Sequence, residues 1–139
     1  MNYKLDEELV YVIASAPYDA GDGAIKGNAV DRLGFGAASF VLSVGTGVGS
    51  PGTFTVDMKI QESDTTTDND FEDIAGASIT QLTGDSGVYD GDQISLNLEN
   101  RKRYLRSVTT VNVTTLTSVP INVLCILGSA DKKPVTQIL

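Results

Sequence analysis

Apolar and polar residues alternate over most of this chain. Phe54, Val56, Met58 and Ile60 are interleaved with Thr53, Thr55, Asp57 and Lys59. A period of two sends these sets to opposite faces of a strand, one buried and one wet. Ile94, Leu96 and Leu98 alternate with Gln93, Ser95, Asn97 and Glu99 in the same way, and Phe40, Leu42 and Val44 form a third such face. The run from Tyr104 to Thr115 is rich in Val and Thr, whose branched side chains suit a pleated surface. Ile121, Val123, Cys125 and Leu127 make the last face, and the intervening Leu124 and Ile126 predict a strand covered on both sides. Val30 and Leu33 mark the start of an earlier strand. A strong helical period is absent. The segment Asp6 to Ala14 has room for a turn or two of helix, although Leu9-Val10-Tyr11-Val12-Ile13 fits a strand better.

Turn signals separate these runs. Gly45 to Gly52 predicts a hairpin loop joining the Phe40 and Phe54 strands, Asp90-Gly91 precedes the Ile94 strand, and Asp22-Gly23 lies near the start. Short strands divided by Gly- and Asp-rich turns predict an all-β protein, a single β-sandwich of jelly-roll or immunoglobulin-like type. The sandwich is assigned to residues 28–128. Residues 1–27, with Pro17, Gly21, Gly23 and Gly27, read as an extended N-terminal arm, and residues 129–139, with Lys132, Lys133 and Pro134, as a short C-terminal tail. Disordered termini fit the same composition. The apolar Val10, Val12 and Ile13 favour an arm packed against a neighbour, which makes them candidate subunit or capsid contacts.

A length of 139 residues suits one domain with its own core. Eighteen acidic and ten basic residues give a net charge of −8, which disfavours nucleic-acid binding. The single cysteine, Cys125, permits no disulfide within the chain and sits in an apolar run as a small hydrophobe. The first residues lack the apolar core of a signal peptide, and no apolar run reaches the ~18 residues of a membrane helix, so folding in a cytosol and no membrane partner are expected. The sequon Asn112-Val113-Thr114 is set aside for want of any sign of secretion.

The chain has no histidine, which removes the usual general base and the commonest metal ligand. Gly84-Asp85-Ser86-Gly87 resembles a serine-protease nucleophile motif, but no base is present to take the serine proton, so it reads as a turn. Gly47-Val48-Gly49-Ser50-Pro51-Gly52 has dinucleotide-fingerprint spacing, yet a strand follows it instead of a helix N-terminus. The acidic run Glu62, Asp64, Asp68, Asp70, Glu72 and Asp73 lacks the glycine a calcium loop requires and reads as solvated. No catalytic residue, metal ligand or cofactor is assigned. Arg101, Lys102, Arg103 and Arg106 are the one dense basic cluster. Arg101 and Arg103 are candidate contacts to acidic surface on a neighbour, the other reading being an ordinary strand start with solvated charges.

The stretch Thr53-Phe54-Thr55-Val56-Asp57-Met58-Lys59-Ile60-Gln61-Glu62-Ser63-Asp64, followed by Phe71-Glu72-Asp73-Ile74-Ala75-Gly76-Ala77, resembles a pattern in small virion proteins of tailed phages. Asn100-Arg101-Lys102-Arg103-Tyr104-Leu105-Arg106 and Val30-Asp31-Arg32-Leu33-Gly34-Phe35 extend the resemblance over residues 28–128. It is most like that of capsid decoration, or head cement, proteins. The resemblance implies a β-sandwich that binds the major capsid protein on the capsid exterior, self-associates, often as a homotrimer, and carries no catalytic residues. The host cytoplasm is then its location before assembly. A tail, tail-tube or neck structural protein is the first alternative, and a carbohydrate-binding module the second. The latter is disfavoured by the lack of Trp and by only five Tyr and four Phe.

Overall fold

The computed structural model describes residues 4–138. A single turn of helix, α1 (Leu5–Glu8), leads into β1 (Val10–Ala20). The chain continues through β2 (Gly23–Lys26), β3 (Val30–Asp31), β4 (Phe35–Val44) and β5 (Thr53–Ser63). After a 3-10 turn at Asp68–Asp70 come β6 (Glu72–Ser78), β7 (Leu82–Asp85), β8 (Asp90–Asn97), β9 (Tyr104–Thr114) and β10 (Val119–Ala130). Among the described residues no helix is long and apolar enough to cross a membrane.

The strands form two antiparallel sheets. The first has the order β1-β10-β4-β8, and the second β2-β9-β5-β6, with β3 also on β9 and β7 also on β5. β5 pairs with β9 along its whole length, Thr53 with Thr114 through Ser63 with Tyr104. β2 and β3 therefore share the far side of β9, and β6 and β7 the far side of β5. Taking each of those pairs as one interrupted strand, the first strand pairs with the last, the second with the seventh, the third with the sixth and the fourth with the fifth. That is the jelly-roll arrangement, which decides between the two sandwich types left open by the sequence.

The period-two residues meet between the sheets. Phe40, Leu42, Phe54, Val56, Met58, Ile60, Val111, Ile121, Val123, Cys125 and Leu127 are all 2% exposed or less. Each such side chain contributes about 1.5–3 kcal/mol when fully buried, so the alternation accounts for most of the core. Leu124 and Ile126, expected under a second cover, are half-buried on the outer side of β10.

Two expectations need correction. Of the expected arm 1–27, residues 1–3 lie outside the described residues, and the rest is not an arm outside the sandwich. β1 pairs with β10 from Val10 opposite Leu127 to Ala20 opposite Val119, and Val10, Ala14 and Ala20 are core residues. Its alternation was obscured because register shifts between Ile13 and Ser15 and between Ser15 and Tyr18 break the period. The loop Gly45 to Gly52 is not a hairpin either. β4 and β5 lie in different sheets, so the loop crosses from one to the other, and Val48 bridges to Ser118 on the way.

Gly27 closes the seam between the sheets. Its N–H donates to Ser107 O at 2.8 Å and the next N–H, of Asn28, donates to Ala14 O at 2.7 Å. A Cβ on Gly27 would lie 2.6 Å from Ala14 O and 2.7 Å from Ser107 Oγ, so this crossing admits no side chain. At the other end, β10 stops at Ala130 and the tail returns to the start of β1, where Val135 N–H donates to Glu7 O at 3.0 Å and Gln137 Oε1 accepts from Tyr11 N–H at 3.2 Å. The tail thus covers part of a sheet edge that would otherwise offer unpaired donors.

Deletion of residues 1–27 is expected to abolish cooperative folding, because it strips β10 of a neighbour and opens the core. Urea unfolding followed by circular dichroism checks this; a truncated chain that still unfolds in one sharp transition would contradict the role given to β1.

Candidate functional site

The outer face of the second sheet is polar and internally paired. Along β5 the outward positions are Asp57, Lys59 and Gln61, and along β9 they are Arg106, Val108 and Thr110. The loop after β5 folds back over this face. Arg106, whose side chain is 8% exposed, donates from Nε to Gln61 Oε1 at 2.9 Å and from Nη1 to Asp68 Oδ1 at 2.5 Å. Its guanidinium stacks on the Phe71 ring, 4.1 Å from the centroid. Lys26 of β2 donates to both oxygens of Asp68, at 2.9 and 2.8 Å. Thr65 Oγ1 donates to Asp70 Oδ2 at 2.5 Å, and Lys59 and Gln61 donate to Asp73 at 2.9 and 2.8 Å. Asp68 is held below the usual carboxylate range by its bonds from Lys26 and Arg106, and Asp73 by those from Gln61 and Lys59.

The start of β9 is tied down in the same manner. Glu62, 8% exposed, accepts from Lys102 N–H at 3.0 Å and from Arg101 Nη1 at 3.4 Å. Lys102 Nζ pairs with Glu72 at 2.6 Å. Arg103 makes two bonds to Asp31, at 3.1 and 2.8 Å, and lies 5.2 Å from the Tyr104 ring centroid. The Asp31 carboxyl is held below its ordinary value chiefly by that bond from Arg103. Arg32 adds a bond from Nε to Lys102 O at 3.0 Å. The acidic run and the basic cluster, separate in sequence, are therefore partners.

The candidate contact residues do not converge. Val10, Val12 and Ile13 are on β1 of the first sheet, and Arg101 and Arg103 precede β9 of the second. Val10 is 3% exposed and part of the core, Val12 packs against the core, and Ile13 at 49% presents the one free apolar surface of the three. Both arginines have carboxylate partners within the chain. The protease-like tetrapeptide ends β7 in a turn in which Gly87 N–H donates to Asp85 Oδ1 at 2.7 Å. Cys125 is fully enclosed, and burial pushes its thiol up to about 12, so no thiolate forms near neutrality.

The outer face of the first sheet has a different character, which the period-two reading passed over. β4 and β10 contain no charged residue. On β8, Asp90 and Asp92 fall in the inward phase, opposite Val44 and Leu42, and on β1 Asp19 lies near the end, opposite Pro120. The rungs toward the other end are uncharged: Ile13, Leu124, Val41 and Gln93 form one, and Tyr11, Ile126, Ser39 and Ser95 the next. Ser39 and Ser95 touch through their hydroxyls at 3.2 Å. A shallow groove of about 320 Å³ runs beside them, floored by Ala37, Ile126 and Gly128. The signal for this face was the apolar pair Leu124 and Ile126 at positions where an exposed strand carries polar side chains.

Comparison with protein-family models and with curated proteins finds no match. Among solved structures, a chain of the infectious bursal disease virus Gx strain superposes with a TM-score of 0.55 at 11% identity, over 91% of this chain and 33% of that one. The PBSX exported protein XepA gives 0.48 at 20% identity, over 98% of this chain and 42% of that one. The capsid of Helicobacter pylori bacteriophage KHP30 gives 0.44 at 15% identity, over 89% of this chain and 90% of that one. This chain spans less than half the length of the first two. At such identities the likeness to the bursal disease virus chain is one of fold.

Replacing Arg106 with Met should lower stability by about 1–3 kcal/mol, through loss of charge-assisted bonds and the Phe71 stack. Denaturant titration measures the loss, and amide exchange should localise it to the loop following β5. The pH dependence has a definite sign. Asp31, Asp68 and Asp73 titrate lower in the folded chain than in the unfolded one, so their contribution is present above about pH 4 and is lost as pH falls through the folded values. Protection factors of the loop amides should hold steady between about pH 7 and 5 and fall below about pH 4.

Proposed function

We propose that this chain is a non-enzymatic structural protein of a tailed-phage virion, and within that class a decoration protein that binds the outer head surface between capsomers. Its work is association: added interface stabilises a shell by mass action, with no reaction to catalyse. The major capsid protein is its partner, and nucleic acid is not. The carrying observation is the network just described. Gln61, Glu62, Phe71, Asp73, Arg101 and Arg106 bear the resemblance to phage virion proteins, and they form bonded or stacked partners across β5, the loop after it, β6 and β9 with the residues just before it, while Arg103, which also bears it, bonds to Asp31 of β3. The resemblance thus follows a physical unit, a loop clamped to a sheet. The jelly-roll fold adds support, since viral capsid domains use it widely, and the absence of histidine agrees with a passive role.

A carbohydrate-binding reading has one observation in its favour. Tyr89, 80% exposed, precedes β8, and Tyr18, 60% exposed, stands on β1 at the same end of the first sheet. Lectin domains also use jelly rolls, and exposed aromatic rings suit sugar faces.

Immunogold electron microscopy of virions with antibody to this chain separates head decoration from a tail or neck role. Gold over filled heads is the expected result. Gold on the tail or neck would overturn head decoration in favour of a tail structural role, and virions without label would overturn both. Heads prepared without the chain should gain heat resistance when it is added back.

A further inference from the structure

From the uncharged outer face of β1, β10, β4 and β8, we infer that two copies of this chain pack face to face about a twofold axis. The axis runs parallel to the strands and passes between β10 and β4. This inference stands apart from the head-decoration reading, because it concerns the isolated protein.

Charge selects the face. Each copy carries −8, so two copies repel wherever acidic surfaces meet. The second sheet presents charged side chains from β2, β5 and β9. Over its central rungs the first sheet offers none, so the middle of a docked face brings no like charges together, and Asp19 falls at its margin.

Shape selects the occupant. Large side chains stand on the β1 and β10 half, namely Tyr11, Ile13, Leu124 and Ile126. Mostly small or polar ones lie on the β4 and β8 half, namely Ala37, Ser39, Gln93 and Ser95, with Val41 the large apolar one among them. A twofold axis between the halves exchanges them. It lays Tyr11 of one copy over the Ser39 and Ser95 pair of the other, because all three occupy one rung. The next rung brings Ile13 over Gln93, and Leu124 against Val41. Such an interface is self-complementary, as a closed dimer requires.

The extent is sufficient. Four strands about 4.8 Å apart and roughly eight residues long cover about 500 Å² per copy, or on the order of 1,000 Å² in the pair. That is the lower limit of specific interfaces, so the dimer should form at micromolar or higher concentration.

Sedimentation of the intact protein over a concentration series tests the idea. Twice the chain mass is expected at high concentration. Ile13→Arg and Ser39→Arg should each weaken the dimer at least tenfold while leaving the urea midpoint nearly unchanged, and Lys59→Glu on the other sheet should leave it intact. Mixing Tyr11→Cys with Ser95→Cys should give a covalently linked pair with a bifunctional maleimide about 10 Å long, the spacing of facing sheets, since Cys125 is buried. A monomer at several hundred micromolar, a trimer, a dimer indifferent to both arginine variants, or no cross-link in the mixture would each overturn the inference. None of these outcomes bears on where the chain sits in a virion.

Discussion

The pairing of β1 with β10 is the contact on which the rest of the molecule depends. It joins the first strand to the last, from Val10 opposite Leu127 to Ala20 opposite Val119. Without it β10 would be an edge, and its inner side chains Ile121, Val123, Cys125 and Leu127 would lose one wall of their enclosure. The same closure places Ala14 against the Gly27 crossing, where one carbonyl of β1 and one of β9 receive successive N–H groups. Each sheet is thereby anchored to the other along a seam too close for a side chain. Contacts of such sequence separation raise the contact order of the chain, a property that goes with slower folding.

On that frame the two outer faces follow opposite rules. The second sheet neutralises its charges internally: Arg106 is buried under a loop and bonded to Gln61 and Asp68, and Arg101 and Arg103 hold Glu62 and Asp31. These pairs orient the loop more than they stabilise the fold, because most of their carboxylates remain open to water. The first sheet has no charges to neutralise over its central rungs and exposes Ile13, with Leu124 and Ile126 half-covered. The two faces thus divide, one held by its own ion pairs and the other uncharged over its central rungs.

The candidate contacts illustrate how burial reassigns a residue. Val10 and Ile13 are close neighbours in an apolar run, yet one is core and the other surface, because strand geometry sends alternate side chains to opposite sides. Arg101 and Arg103 look available as isolated letters, and their partners lie 39 and 72 positions away. No pattern of local spacing reveals such a pairing.

The sequence by itself determined the class of the fold, the strands β4, β5, β8, β9 and β10, and most of the core. Period-two alternation is a local property, and the strand pleat converts it directly into inside and outside. It also determined what chemistry is missing, since a chain without histidine lacks that side chain in any conformation. Tertiary structure alone decided the sheet to which each strand belongs, and so turned an expected hairpin at Gly45 to Gly52 into a crossing between sheets. It alone placed β1 in the sandwich, where irregular register hides the alternation. It alone paired the acidic run with the basic cluster and gathered the uncharged positions of four strands onto one face. These are non-local facts, fixed by which distant strands become neighbours, and period-two spacing does not encode them.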